Sequence, residues 1–346
     1  MDFFKNLLFR FRFLTKKQKR KKLTAGKKRR SANPEVEALA QTLQTTSGEL
    51  FLLSKKASSL YKEVKIPKKR GGFRTLHTPN SRLKELQRKI LQNLLSKEEF
   101  SSYATAYCRE KNLRDNASPH VGHLYLLKMD VSDFFGSITF RQVLSCAFPS
   151  TRYSRQCGVI LASLCTKDGF LPQGAPTSPA LSNLVMKNFD EHLGTWCEER
   201  GIVYTRYCDD LTFSADYPLL SLSYKVSEML SRWGFRVNEE KTKFIYRSSC
   251  QRVTGLCVNE KVSGPSEYKR GLRQDVYYAL RFGLEDSMRK SGKAEYFCDG
   301  KWDTERYLQS LLGKINFVLQ IEPQNRYFTE KKEELKQKFS FAGENS

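Results

Sequence analysis

Several things are missing from this chain. Its nine cysteines are scattered and never form a C-x-x-C pair, which argues against a zinc site and against a disulfide framework. They fit reduced thiols, and so a cytoplasmic protein. No apolar run approaches the roughly 18 residues of a membrane-spanning helix. The first 14 residues are hydrophobic but broken by Lys5, Arg10 and Arg12, which makes a poor signal peptide. Internal repeats are absent. Acidic residues are scarce beside basic ones: 37 Asp and Glu against 60 Lys and Arg, a net charge of +23.

What is present bounds the class. With 346 residues, 39% of them apolar and 12% aromatic, the chain is long enough for a substantial core in two or three subdomains. Residues 1–32 hold 13 Lys and Arg and a single acid, about half of the positive excess. A basic body carrying a basic arm points to a polyanion, most often nucleic acid. In that arm Phe3, Phe4, Leu7, Leu8 and Phe11 recur at helical spacing before a Lys/Arg run. This pattern suits RNA or partner binding, with an amphipathic membrane-surface helix as the alternative.

The periodicity predicts helix over residues 33–65, opening at Asn33-Pro34. Residues 66–76 read as two short strands around Gly71-Gly72, loaded with Lys68, Lys69, Arg70 and Arg74. Residues 83–95 read as an amphipathic helix and 124–130 as a strand. Helical segments run from Phe140 to about Cys165. A loop over 171–177 feeds a helix that starts at Ser178-Pro179. Residue runs 202–207 and 211–214 read as strands flanking Cys208-Asp209-Asp210. Then come a helix over 222–233, a β-rich stretch over 235–258 and a basic helical region over 267–340. Within it, Gly271 and Gly283 weaken the helix expected over 267–284.

Adjacent carboxylates at a hairpin tip repel one another, and a turn does not need them. Asp209 and Asp210 make sense if a divalent cation neutralises them, because Mg²⁺ is held by one or two carboxylates plus substrate phosphates. Asp130 ends an apolar strand in Asp130-Val131-Ser132-Asp133-Phe134-Phe135 and adds a third carboxylate. Three carboxylates suffice for two Mg²⁺ ions roughly 4 Å apart, the clamp of an in-line displacement. Asp133 reads as the cap of the following turn, whose amides face phosphates. Gly174 in Leu171-Pro172-Gln173-Gly174 allows close backbone approach, and Ser178-Pro179 leaves helix N–H groups free. Lys68, Lys69 and Arg70 with Arg74 put cations on one hairpin, which reads either as a clasp over a triphosphate or as a solvated basic turn.

These segments, in this order, resemble a reverse transcriptase: the basic hairpin, the Asp-x-x-Asp-Phe-Phe strand end, the Leu-Pro-Gln-Gly loop, the Tyr-x-Asp-Asp hairpin, then a Gly-Phe…Lys segment. Asn116-Ala117-Ser118-Pro119-His120, Val253-Thr254-Gly255 and Ser182-Asn183 are similar to signatures of the bacterial retron branch. The resemblance spans about residues 33–320. It implies an α+β right-hand fold: fingers over 33–118 with 141–168 inserted, a ferredoxin-like palm over 119–140 and 169–258, and a helical thumb over 259–346, after the basic extension of 1–32.

Roles follow from the same resemblance. Asp130, Asp209 and Asp210 would bind two Mg²⁺ ions with Val131, and Lys241 would lie near the leaving pyrophosphate. Lys68, Lys69, Arg74, Asp133, Phe134, Phe135 and Gln173 would meet the incoming dNTP, the Phe135 ring excluding a 2′-OH. Asn116, His120, Lys269, Arg270 and Arg273 would meet RNA. Cys208, where the family more often has Ala, and the basic arm are departures. Retron enzymes copy part of a cognate structured noncoding RNA from a 2′-OH within it. They yield a branched RNA–DNA hybrid (msDNA), typically act beside an effector protein in phage defence, and rely on a host RNase H, since the roughly ninety residues after Gly255 suffice only for a thumb. The alternatives are an intron-encoded or abortive-infection reverse transcriptase, or a mainly structural subunit binding RNA, msDNA and an effector.

Overall fold

The computed structural model describes residues 33–67 and 71–340. The basic arm of residues 1–32, with Lys68, Lys69 and Arg70, lies outside the described residues. α1 (Pro34–Thr42) begins as its sequence dictates: Pro34 takes the first helical position and the Asn33 side chain accepts from the Glu35 amide. α2 (Ser47–Lys56) follows, and a 3-10 turn ends at Leu60. The helix expected over 33–65 is therefore corrected in its last five residues, which are strand. β1 (Tyr61–Pro67) pairs antiparallel with β2 (Phe73–Pro79), from Tyr61 opposite Pro79 to Pro67 opposite Phe73. Hairpin pairing with β2, with β-branched Val64 and Ile66 in the strand, overrides helix propensity. α3 (Ser81–Asn93) is capped by the Asn80 side chain and buries Leu83, Leu86 and Ile90, three residues on one helical face.

The centre of the molecule is an antiparallel sheet. After α4 (Leu113–Ala117) comes β3 (Tyr125–Ser132), then α5 (Phe134–Ser137), α6 (Phe140–Ala147), α7 (Arg155–Cys165) and α8 (Ser178–Glu198). β4 (Val203–Tyr207) and β5 (Asp210–Ala215) form a hairpin, followed by α9 (Leu220–Arg232). β6 (Arg236–Val237) and β7 (Lys243–Tyr246) share the far edge of β3. The strands lie in the order β4-β5-β3-β6. With α8 and α9 in the crossovers this is a β-α-β-β-α-β, ferredoxin-like unit. β3 is paired on both edges, and Leu127, Met129 and Val131, alternate residues on one of its faces, are buried in the main apolar core.

β8 (Arg252–Val253) and β9 (Leu256–Cys257) make a small hairpin around Thr254 and Gly255, both at positive φ. Four helices follow: α10 (Ser266–Phe282), α11 (Leu284–Lys290), α12 (Thr304–Ile321) and α13 (Arg326–Ser340). A short hairpin, β10 (Phe297–Cys298) with β11 (Lys301–Trp302), interrupts the helical reading of 267–340. Gly283 does not weaken α10. It terminates it, at φ +88°, a region glycine enters freely.

Residues from Val36 through Phe134, Leu161 and Phe189 to Leu230 share one apolar core. The C-terminal helices have their own, built on Leu272, Val276, Tyr307, Leu311 and Phe328. Val253, Leu256 and Ile321 join a third cluster with Leu126 of β3. The class is α+β, with a hairpin-bearing fingers region, a sheet-and-helix palm and a helical thumb. No helix among the described residues is long and apolar enough to cross a membrane.

Candidate active site

The acidic hairpin closes with Tyr207 opposite Asp210, so Cys208 and Asp209 are its two turn residues. Cys208 sits at φ +61°, where residues with a Cβ are uncommon. The turn is pinned to the central strand, because the Val131 amide donates to the Asp209 carbonyl at 2.9 Å. Asp130 lies directly opposite Asp210 across β3 and β5. Residues paired this way project to the same face, their Cβ atoms about 5 Å apart. Asp130 is 7% exposed, while Asp209 and Asp210 are half-buried.

Electrostatics bear out the crowding. The Asp210 carboxyl is pushed above the usual range, first by burial and then by the negative charges of Asp209 and Asp130, against the pull of Lys128 and Lys241. Lys241, in the 3-10 turn Glu239–Lys241, donates to both Asp130 oxygens at 2.8 and 2.9 Å. That turn is held by the Asn238 amide on the Asp130 carbonyl, 2.8 Å.

Among the described residues, no group of three His, Cys, Asp or Glu side chains is drawn together into a metal cage. A hard, oxygen-only pair of opposed carboxylates, with neighbouring like charge raising the proton affinity of one of them, nonetheless fits Mg²⁺, which is seldom held by an all-protein cage. Asp130 and Asp210 would hold it, with Asp209 beside them on the turn. Val131 adds its amide to the turn and buries its side chain in the core.

The nucleotide-side residues are distributed unequally. The Gln173 carbonyl accepts from the His77 amide of β2 at 2.8 Å, which seats the loop against the fingers hairpin. Gly174, at φ +121°, passes so close that an added Cβ would fall 3.0 Å from the His77 carbonyl oxygen. Arg74 is exposed on β2. Lys68 and Lys69 lie outside the described residues. Asp133 does not cap α5 as expected. It takes the N-cap position at φ +42° without a side-chain cap bond, and its carboxyl lies over Gly136, where a Cβ would meet Oδ2 at 2.3 Å. Phe134 is a core residue packed on Phe235, so its expected nucleotide contact is corrected. Phe135 is half-buried, its ring edge-on to Phe134 at 5.4 Å.

A buried network behind the hairpin escaped sequence reasoning. Arg206 of β4 and Asp190 of α8 are both fully buried and paired, Nη2 to Oδ2 at 2.6 Å. Tyr204 donates to Asp190 Oδ1 at 2.9 Å. The signal was present: an arginine inside an apolar strand, and an aspartate on the apolar face of a helix, stay buried only when paired.

Comparison with known proteins decides the family. The model for "Reverse transcriptase (RNA-dependent DNA polymerase)" matches residues 66–269. The chain belongs to the reverse transcriptase family. It is 36% identical over 243 residues to a retron reverse transcriptase of Myxococcus xanthus, covering 64% of this chain and 56% of that one. A retron reverse transcriptase of Escherichia coli is 34% identical over 262 residues, 75% of each chain. Among solved structures, apo telomerase from Candida Tropicalis matches with a TM-score of 0.44 at 14% identity, over 86% of this chain and 63% of that one.

In this reverse transcriptase two of the five expected RNA contacts, Asn116 and His120, need correction. Asn116 and His120 are buried and face inward. His120 Nδ1 bonds Ser214 Oγ and Nε2 bonds Thr205 Oγ1, both at 2.8 Å, while Asn116 Oδ1 accepts from Thr105 at 2.7 Å. They tie the acidic hairpin to the preceding loop and are closed off from solvent. Lys269 is paired with Glu322 at 2.6 Å. Arg273 is exposed and lies 5.5 Å over the Tyr327 ring. Arg270 is exposed on α10.

Proposed function

We propose that this chain is a retron-type reverse transcriptase. It copies part of a cognate structured noncoding RNA into DNA, starting from a 2′-OH of that RNA, and leaves a branched RNA–DNA hybrid. The observation that carries the reading is the opposition of Asp130 and Asp210 across β3 and β5 beneath the Asp209 turn, in a chain similar over much of its length to retron reverse transcriptases.

Each residue has a defined task. Asp130, Asp209 and Asp210 would hold the metal, beside the primer hydroxyl and the α-phosphate. Bound Mg²⁺, as two ions, supplies a lowered hydroxyl pKa and charge neutralisation at attacking and leaving oxygens. Arg74, with Lys68 or Lys69, grips the triphosphate of the incoming dNTP. The Gln173 loop orients the nucleotide, and Phe135 stands against the 2′ position of its sugar. Lys241, tethered to Asp130, adds positive charge on the pyrophosphate side. Arg270 and Arg273 of α10 track RNA phosphates, which fix position rather than sequence. A cytoplasmic setting, an effector protein from the same operon, a host RNase H and a role in phage defence belong to the same proposal.

The test is direct. Purified protein with its own RNA, dNTPs and Mg²⁺ makes cDNA joined to RNA, and Asp209→Asn with Asp210→Asn makes none. Equal product from wild type and double variant overturns the reading. Linear cDNA without an RNA branch removes the retron claim and leaves the polymerase.

A further inference from the structure

The geometry points to Arg206 as a positioning residue that sets the height of the catalytic turn through the backbone carbonyl of Cys208. The inference rests on the assignment of Asp209 and Asp210 as catalytic carboxylates.

The guanidinium is fully buried, and nearly every donor is engaged. Nε reaches Asp190 Oδ1 at 2.8 Å and Oδ2 at 3.1 Å. Nη2 reaches Asp190 Oδ2 at 2.6 Å and Asn183 Oδ1 at 3.1 Å. Nη1 donates to the Cys208 carbonyl at 2.9 Å. That carbonyl belongs to the peptide linking Cys208 to Asp209. Cys208 stands at φ +61°, a conformation that persists in a residue with a Cβ only where its surroundings enforce it. Arg206 holds the turn from behind, and the Val131 amide holds the Asp209 carbonyl from the side.

The anchor of this device is helical. Asn183 and Asp190 are seven residues apart on α8, two turns along one face. α8 starts directly after the loop that carries Gln173. One rigid helix thus references the nucleotide-side loop and the acidic turn to each other. Asn183 Nδ2 also donates to the Ala106 carbonyl at 2.8 Å, and the Arg206 backbone exchanges hydrogen bonds with Tyr103 and Thr105. The segment before the palm is held in the same frame.

A buried ion pair is weak evidence for stability, since desolvation offsets much of its attraction. Here the surplus lies in the fork. Arginine donates to a carboxylate with one edge and to a carbonyl with another. A lysine presents one compact ammonium and cannot span both.

The experiment compares Arg206→Lys with Tyr204→Phe in the full chain. Tyr204→Phe removes one hydrogen bond from the same buried Asp190 but nothing that touches the turn. Two readouts are taken on each: dTTP incorporation on poly(rA)–oligo(dT), and Mn²⁺ affinity of the protein by electron paramagnetic resonance. Displacement of reacting groups by about 1 Å costs about a hundredfold in rate. Arg206→Lys is therefore expected to lower kcat by about that factor with KM for dTTP little changed, and to weaken Mn²⁺ binding. Tyr204→Phe is expected to lower Tm and keep kcat and Mn²⁺ affinity. Wild-type kcat and Mn²⁺ affinity in Arg206→Lys overturn the inference. So does a loss that follows Tm equally in both variants. If Arg206→Lys does not fold, Asp190→Glu, which retains both charges and moves the guanidinium, takes the same measurements against the same outcomes. Activity persisting in Asp209→Asn with Asp210→Asn overturns the underlying site instead, whatever Arg206→Lys does.

Discussion

Lys241 Nζ binds both carboxylate oxygens of Asp130, at 2.8 and 2.9 Å, and does so from a side chain that is 56% exposed, while the Asp130 side chain is 10% exposed. A partly exposed cation thus stands on the carboxylate proposed to bind metal. Under the proposed function two effects oppose each other in Lys241→Gln: metal binding to Asp130 would be freed of a competitor, and charge beside the leaving pyrophosphate would be lost. The half-saturating Mg²⁺ concentration should fall while kcat drops by about tenfold or more, as for other single electrostatic contacts in active sites. Tm should hardly move, since a partly exposed pair contributes at most about 1 kcal/mol. Unchanged kcat in a Mg²⁺ titration counts against any role for Lys241.

Asp210 sets function against stability. Burial and the charges of Asp209 and Asp130 raise its carboxyl above the usual value. A raised carboxylate pKa favours the protonated folded state. Its contribution is present below the unfolded value and is lost as pH rises through the folded value. At neutral pH the ionised group therefore destabilises the metal-free protein. Asp210→Asn should raise Tm in chelator-treated buffer and abolish synthesis. A Tm at or below wild type for Asp210→Asn contradicts the electrostatic account.

His120 behaves as a structural strut. Burial pushes its imidazole down to about 3 from the usual 6.5. The sign is that of a group held neutral: its contribution is complete above the unfolded value and lost as pH falls. Wild type should lose stability below pH 6.5, by up to about 1.4 kcal/mol per pH unit. His120→Ala should flatten that acid dependence. It should also cost about 2–4 kcal/mol at neutral pH, because the Ser214 and Thr205 hydroxyls lose their partner. The salt dependence of RNA binding should stay the same, since no phosphate contact is removed. A shallower salt slope in a filter-binding series restores the RNA-contact reading.

The acidic hairpin was legible because its residues conflict with their local setting: a tight turn has no use for paired carboxylates. The start of α8 was legible from Ser178-Pro179, which is local capping chemistry. Asn116 and His120 were misplaced because a polar residue in a loop reads alike whether it faces RNA or a hydroxyl across the sheet; only the long-range pairing to Thr205 and Ser214 separates the two. The hairpin around Gly71-Gly72 was legible, but the first five residues of β1 were read as helix because their pairing with β2 is not written locally; the Arg206–Asp190 pair, whose members are sixteen residues apart, was hidden in the same way. Phe134 and Phe135 are adjacent, and sequence gives no means to tell which one enters the core.

That pair supplies the sharpest separation of site from scaffold. Phe134 packs in the core against Phe235, and Phe135 leans on it edge-on from the half-buried side. Phe135→Ala should open space at the sugar and raise ribonucleotide incorporation relative to dNTP by about tenfold or more, within the range one steric contact gives. Its Tm should stay near wild type. Phe134→Ala should do the opposite, costing about 3–5 kcal/mol as a core truncation with no gain in ribonucleotide use. Single-nucleotide extension with rNTP and dNTP on each variant reads both outcomes. Unchanged sugar selectivity in Phe135→Ala excludes its ring as the gate, and a gain in Phe134→Ala instead assigns the gate to the neighbouring ring.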